Sequence, residues 1–154
     1  MSTDATPDSR DDVRHVLTED VRRARFERGA AVLGKISGML GAGQALRDEL
    51  AGIAPALAED VVAHGYGDVY SHTCLAPPQR QLVTIGILTA LGGCESQLEM
   101  HLNVALNVGV TPTEIIESIR HAAVYCGMPK ALNAVTVARN VFAYRDLLPV
   151  TAES

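Results

Sequence analysis

In segment after segment of this chain, apolar residues return every third or fourth position, and no stretch alternates as a strand does. That period predicts amphipathic helices throughout. The first should open at Thr18, a suitable N-cap, with Glu19 and Asp20 in the turn where the helix dipole favours acids. It runs through Val21, Ala24 and Val32 to Gly34. Gly34 to Gly43 reads as a loop, a second helix begins near Gln44, and Pro55 suits the first turn of a third. That third helix should bury Leu57, Ala58, Val61 and Val62 and end in the stretch His64-Gly65-Tyr66-Gly67-Asp68-Val69-Tyr70. Pro78 to Leu91 is apolar nearly all round, which predicts a central helix. Gly92 and Gly93 then turn the chain into an amphipathic helix from Cys94 to Gly109. Thr111-Pro112-Thr113-Glu114 is a capping-box start for the next, which buries Ile115, Ile119 and Ala123 and breaks near Cys126. The last helix spans about Lys130 to Leu147. The expectation is an all-α single domain of about six helices over residues 16–148. A disordered polar tail is expected at 1–15 and a short C-terminal tail at 149–154.

Composition narrows this picture. The chain is 47% hydrophobic but only 4% aromatic, with no Trp, so Ala, Leu and Val must fill the core. A chain of 154 residues builds a small core, which association with copies of itself would extend. A net charge of −5 argues against nucleic-acid binding. The run Arg22, Arg23, Arg25 and Arg28 reads as a solvated helix face or a subunit contact. No apolar run nears the roughly 20 residues of a membrane span, and the N-terminus is polar, so a cytoplasmic protein is expected. Cys74, Cys94 and Cys126 are odd in number and lack a Cys-x-x-Cys pair, which argues against a disulfide framework or a thiolate metal site.

Candidate chemistry concentrates on two stretches. At about 100° per residue, Cys94, Gln97 and His101 share a stripe that overlaps the buried face marked by Leu98 and Leu102. Two readings stand: a hydrogen-bonded core histidine beside a small buried cysteine, or a functional imidazole. The His64 to Tyr70 stretch, rich in Tyr, His and Asp, is either a pocket wall or a capped turn. Arg80, near a helix start where a cation is disfavoured, calls for a carboxylate partner from protein or ligand.

These residues resemble the carboxymuconolactone decarboxylase family from about Arg25 to Phe142. The resemblance is carried by Gly67-Asp68-Val69-Tyr70, by Leu75 with Arg80 and Leu82, by Ala90-Leu91-Gly92 and by His101. Asn107-x-Gly109-Val110-Thr111 with Glu114, and Ala123-Val124-Tyr125-Cys126-Gly127-Met128-Pro129, complete it. The resemblance implies a helical homo-oligomer, a hexamer or trimer of dimers, and a cofactor-free decarboxylation of a lactone that bears a carboxylate. A related branch, similar to alkylhydroperoxidase D, is a thiol peroxidase with a Cys-x-x-Cys-x-x-x-His motif. Cys94 and His101 match two of its positions, but Gln97 stands at the second cysteine and cannot resolve a sulfenic acid. Members like the catabolic decarboxylase usually carry arginine where this chain has His72. Histidine is a weaker, pH-dependent carboxylate binder, which points to another lactone or keto acid as the small-molecule substrate.

On this resemblance the protein positions a carboxylate, stabilises the enolate left by loss of carbon dioxide and delivers a proton. The substrate itself is the electron sink. His101 is the expected proton donor or enolate stabiliser. Asp68 is the expected second acid/base, or the carboxylate that orients His101. Arg80 and His72 are expected to hold the substrate acid, Gln97 to orient, and Cys94, Tyr66, Tyr70 and Tyr125 to line the site. The same scaffold also suits a lactone isomerase or cyclase, and a non-catalytic helical assembly or redox-responsive binding protein. A cavity at His101 favours an enzyme, whereas a His101 sealed among aliphatic side chains favours the assembly.

Overall fold

The computed structural model describes residues 18–151, so the tail expected at 1–15 lies outside the described residues. Among them the chain is all-helical, with seven α-helices and one π-helical segment. These are α1 (Glu19–Ser37), α2 (Ala42–Leu50), α3 (Pro55–Glu59), the π segment (Asp60–Val69) that continues α3, α4 (Pro77–Leu91), α5 (Glu95–Asn107), α6 (Pro112–Cys126) and α7 (Met128–Tyr144).

The start signals act as expected. Thr18 Oγ1 accepts from the Val21 N–H at 3.4 Å. Glu114 accepts from the Thr111 N–H at 2.7 Å while Thr111 Oγ1 accepts from the Glu114 N–H at 3.2 Å, closing the capping box. One boundary differs. α1 runs through the buried Gly34 and stops only at Gly38, whose φ of 73° makes the left-handed cap. One glycine inside a helix costs about 1 kcal/mol, which packing outweighs. The third helix ends within His64–Tyr70 as expected, at Val69, but it does not break at the two glycines. The helix continues and widens, so that the Tyr70 N–H reaches back five residues to the Gly65 carbonyl at 3.0 Å.

The fold has two parts joined by α5. Helices α4, α5, α6 and α7 enclose the main core, built around Ile85, Leu102, Ile115, Ile119, Ala138 and Phe142. α1 lies along the π segment, with Phe26, Val62 and Ala63 packed between them. Two glycines make that crossing close. A Cβ on Gly29 would lie 1.9 Å from the Val62 carbonyl oxygen, and one on Gly67 would lie 2.5 Å from the Arg25 carbonyl oxygen. Val104 of α5 joins Leu33, Ile36 and Tyr66, which ties the two parts together. Asn107 adds a polar tie: it donates to the Ser37 carbonyl at the end of α1 and accepts from Arg145 after α7. Packing extends past residue 148, since Val150 rests against the main core.

α4 is central on one side only. Gln81, Ile85 and Thr89 face inward, while Val83, Ile87 and Leu91 are exposed. Beside α6 this outer face forms an open apolar groove that includes Ile87, His121 and Tyr125. In the third helix only Ala58 and Val62 of the expected buried face are sealed, and Leu57 and Val61 reach solvent.

Candidate active site

His101 projects from the middle of α5 into the seam between the two parts. It lines a cleft of about 360 Å³ together with Asp60, Val61, His64, Gly65, Tyr66 and Tyr70 from the π segment. The widened helix sets one wall, with the Tyr66 and Tyr70 rings stacked at a tilt, centroids 5.0 Å apart. π-helical turns recur at functional sites.

A chain of hydrogen bonds behind His101 fixes which of its nitrogens is free. The Thr84 hydroxyl donates its one proton to the Arg80 carbonyl at 2.9 Å. At its 3.3 Å contact with Tyr70, Thr84 can therefore only accept, and the phenol donates. The Tyr70 oxygen accepts from Gln81 Nε2 through a long 3.5 Å bond. That orientation turns Gln81 Oε1 toward His101 Nδ1, 3.0 Å away, so Nδ1 carries the proton. In the neutral ring Nε2 is then an unprotonated acceptor. Gln81 is wholly buried, so this orientation has no water to compete with it. Burial also holds the His101 imidazole below the ordinary histidine range, because a charged ring is poorly solvated there. Burial, and then Tyr70, push the Tyr66 phenol up to about 12, so it remains a neutral hydrogen-bond donor.

Asp68 lies elsewhere, and the expectation that it orients His101 is not met. Its carboxylate is clamped by Arg25 and Arg28 of α1, with Arg25 Nε at 3.1 Å and Arg28 at 3.1 Å. His64 Nδ1 stands 3.6 Å from the same carboxylate. The hydrogen bond from Arg25 is the main reason that the Asp68 pKa falls to about 2. Such a group is ionised at neutral pH and has no proton to give. Gln81 takes the orienting role that had been assigned to it.

The remaining candidates scatter. Arg80 has no carboxylate partner among the described ion pairs. It donates to the backbone carbonyls of His72 and Leu75 and lies 5.7 Å from the Tyr70 ring centre, so it braces the loop before α4. The His72 side chain is exposed and does not line the cleft. Gln97 is exposed in the first turn of α5. Cys94 points back to the Leu88 carbonyl at 3.4 Å, away from the cleft, and Tyr125 lines the outer groove on α6. Gln81, behind the cleft, is absent from the sequence reading, and His64 enters it only as part of the expected pocket wall. Gln81 leads the inward row Gln81, Ile85, Thr89, a spacing that marks it as a polar residue on a buried face. His64 stands one turn before Asp68.

The profile of the carboxymuconolactone decarboxylase family matches residues 55–140, over half of the chain. The chain belongs to that family. The matched region of this family member begins at α3 and ends within α7, so it includes the π segment, Gln81 and His101. The 4-carboxymuconolactone decarboxylase of Acinetobacter baylyi is 40% identical over 84 residues, 54% of this chain, and the chain spans 62% of that protein's length. The nitrosuccinic acid decarboxylase of Metarhizium robertsii is 33% identical over 139 residues, 89% of this chain and 87% of that protein. An uncharacterised 15.0 kDa protein of Paracoccus denitrificans is 32% identical over 95 residues, 61% of this chain and 71% of that protein. Among the described residues no helix is long and apolar enough to cross a membrane.

Proposed function

We propose that this family member is a cofactor-free decarboxylase of a small carboxylic acid whose departing electrons are taken up by a group already on the substrate. The open cleft at His101, with Nδ1 committed to Gln81 and Nε2 free, is the observation that carries the reading. It favours an enzyme over a sealed structural histidine. The two relatives named as decarboxylases share the kind of sink required. A lactone carbonyl accepts the electrons as an enolate, and a nitro group beside the carboxyl accepts them as a nitronate. The relative that matches nearly the whole chain acts on nitrosuccinic acid, which extends the substrate class from lactone and keto acids to nitro acids.

The steps follow from the electrostatics. In the empty site burial keeps His101 neutral. An anionic substrate in the same poorly solvated cleft favours the charged ring, so Nε2 takes up a proton from water as substrate binds. The carbon–carboxyl bond then breaks, carbon dioxide leaves, and the electron pair moves into the sink. Imidazolium stabilises that charge, the Tyr66 phenol donates a hydrogen bond to it, and Nε2–H returns its proton to the carbon. One proton enters and one leaves per turnover, with no redox change.

The purified chain should release carbon dioxide from nitrosuccinate or 4-carboxymuconolactone, faster than the uncatalysed loss. His101→Ala should abolish most of that excess while remaining folded. Full excess activity in a folded His101→Ala protein refutes the mechanism. No release from either acid refutes the substrate class. Assembly belongs to the same reading: the open apolar groove between α4 and α6 supports a homo-oligomer, a hexamer or trimer of dimers, and light scattering that returns a monomer rejects it.

A further inference from the structure

The cleft holds a second imidazole that the mechanism above does not use. His64 sits at its exposed rim, with 70% of its side chain accessible, while His101 lies half-buried inside. Apart from these two rings, the lining is Val61, Gly65, the two tyrosines and Asp60. Among the described residues no arginine or lysine lines it. His64 and His101 are thus its cation-capable groups, and His101 is assigned to the reacting atoms.

His64 is also built in. Its Nδ1 faces Asp68 at 3.6 Å, and Asp68 is itself fixed to α1 by Arg25 and Arg28. With Nδ1 turned to Asp68, the other ring nitrogen, Nε2, is left for a ligand. The surrounding charges balance. On the π segment, Asp60 and Asp68 face Arg25 and Arg28 from α1. Beyond the rim His64 borders a wider basin, to which α1 also contributes Glu19, Arg22 and Arg23. Arg47 of α2 and Glu59 of α3 close the basin as an ion pair at 2.5 Å. Asp20 and Asp68 pair with Arg23 and Arg25, and Arg28 also holds Asp68, so five arginines stand against five carboxylates around the basin.

We propose that His64 is the specificity-determining residue of the cleft, and that it binds a second carboxylate, the one the substrate retains. The substrate class is then a dicarboxylic acid: one acid group is lost beside His101 and the other is held at the rim by His64. This rests on the decarboxylase reading but has its own test, because binding needs no turnover. An imidazole holds a carboxylate by charge only in its cationic form, so the contact is tested on both sides of the ordinary histidine range.

The full chain should be titrated with succinate and with butanoate, which lacks the second carboxylate, at about pH 5.5 and about pH 8, either side of the ordinary histidine range. Binding is read from the imidazole signals in nuclear magnetic resonance spectra. Succinate should bind about tenfold tighter than butanoate at the lower pH, the scale of one charge-assisted contact. That advantage should vanish at the higher pH and in His64→Gln, and persist at both pH values in His64→Arg. His64 is exposed, so these variants should fold, and circular dichroism checks that they do. An advantage that survives in His64→Gln overturns the proposal, as does wild-type protein that shows none. The advantage should also survive in His101→Asn. If it does and yet His101 proves dispensable for turnover, the mechanism falls while the His64 assignment stands.

Discussion

The Asp68 cluster and the His101 chain face the same π segment but are built on opposite physics. Around Asp68 the groups are ionic and partly exposed: a carboxylate with 30% of its side chain accessible is held by two arginines and a histidine. Around His101 they are neutral and half-buried about a wholly buried Gln81, a one-way series of hydrogen bonds that ends on a backbone carbonyl of α4. The ionic cluster locks charge in place and lowers a pKa to about 2, which suits holding and anchoring. The buried chain keeps an imidazole uncharged and aims one nitrogen into the cleft, which suits moving a proton. Polar residues close in space therefore serve different ends according to whether water reaches them.

Substituting the central residue of each region should separate these roles most sharply. His101→Ala should lower turnover by roughly 10²–10⁴, the range for loss of a general acid or base. Asp68→Asn should leave turnover within about tenfold and act mainly on substrate affinity and on the docking of α1, since the carboxylate touches no reacting atom. Steady-state kinetics on both variants test the division, and equal losses in turnover would erase it.

Gly29→Ala probes the join beneath the ionic cluster. The added methyl meets the Val62 carbonyl at 1.9 Å, and backbone cannot turn aside as a side chain can. We expect a loss of about 3 kcal/mol, at the upper end for overpacking, measured by urea unfolding. Ala at this position with wild-type stability would mean that α1 and the π segment are less tightly joined than the glycines imply.

Gln81→Leu removes the orienting amide from the buried chain and leaves Nδ1–H of His101 without its acceptor. Unfolding should cost about 1–3 kcal/mol less than in the wild type. The pH profile of turnover should lose its sharp dependence on one tautomer, and Gln81→Glu should move that profile upward by favouring imidazolium.

The smallest effects lie in the acid limb of stability, where the two regions titrate in separate windows. His101 has a folded pKa below the ordinary 6.5, so the unfolded chain binds a proton first, and stability declines as pH falls below that value. Asp68 is lowered from 3.8 to about 2, so its contribution is complete above 3.8 and is lost only as pH falls toward 2. His101→Gln should flatten the first limb and Asp68→Asn the second. A variant that flattens both would show that the regions are coupled.

The fold was largely legible because helix periodicity and caps are local signals. Thr18, Thr111 and Glu114 bond where their chemistry requires. His101 was legible for the same reason, a polar residue on an inward row. Cys94 was drawn to it by a helical projection that does not hold there, since Cys94 is the N-cap, with φ of −133°, outside the helix, whereas Gln97 is helical but sits in the exposed first turn. Gln81 was hidden because an all-round apolar helix does not show which side faces the core. The partners of Asp68 come from α1, 40 and 43 residues away, a distance no local pattern spans. The Asn107 motif was read as a family marker, and its amide turns out to fasten the ends of α1 and α7.

The π segment has a consequence for how this wall of the cleft can change over evolutionary time. Each residue of a helix turns the chain by about 100°, and a π turn is an α turn with one residue to spare. Deleting a single residue between Asp60 and Val69 would let the segment relax to an ordinary α-helix and swing everything on one side of the cut past everything on the other. His64 and the two tyrosines would then face new neighbours, while the α4–α7 core, which supplies His101 and Gln81, would keep its register. Length variation in one helix can in this way reshape substrate recognition as a single event, where point substitutions would have to rebuild it one side chain at a time.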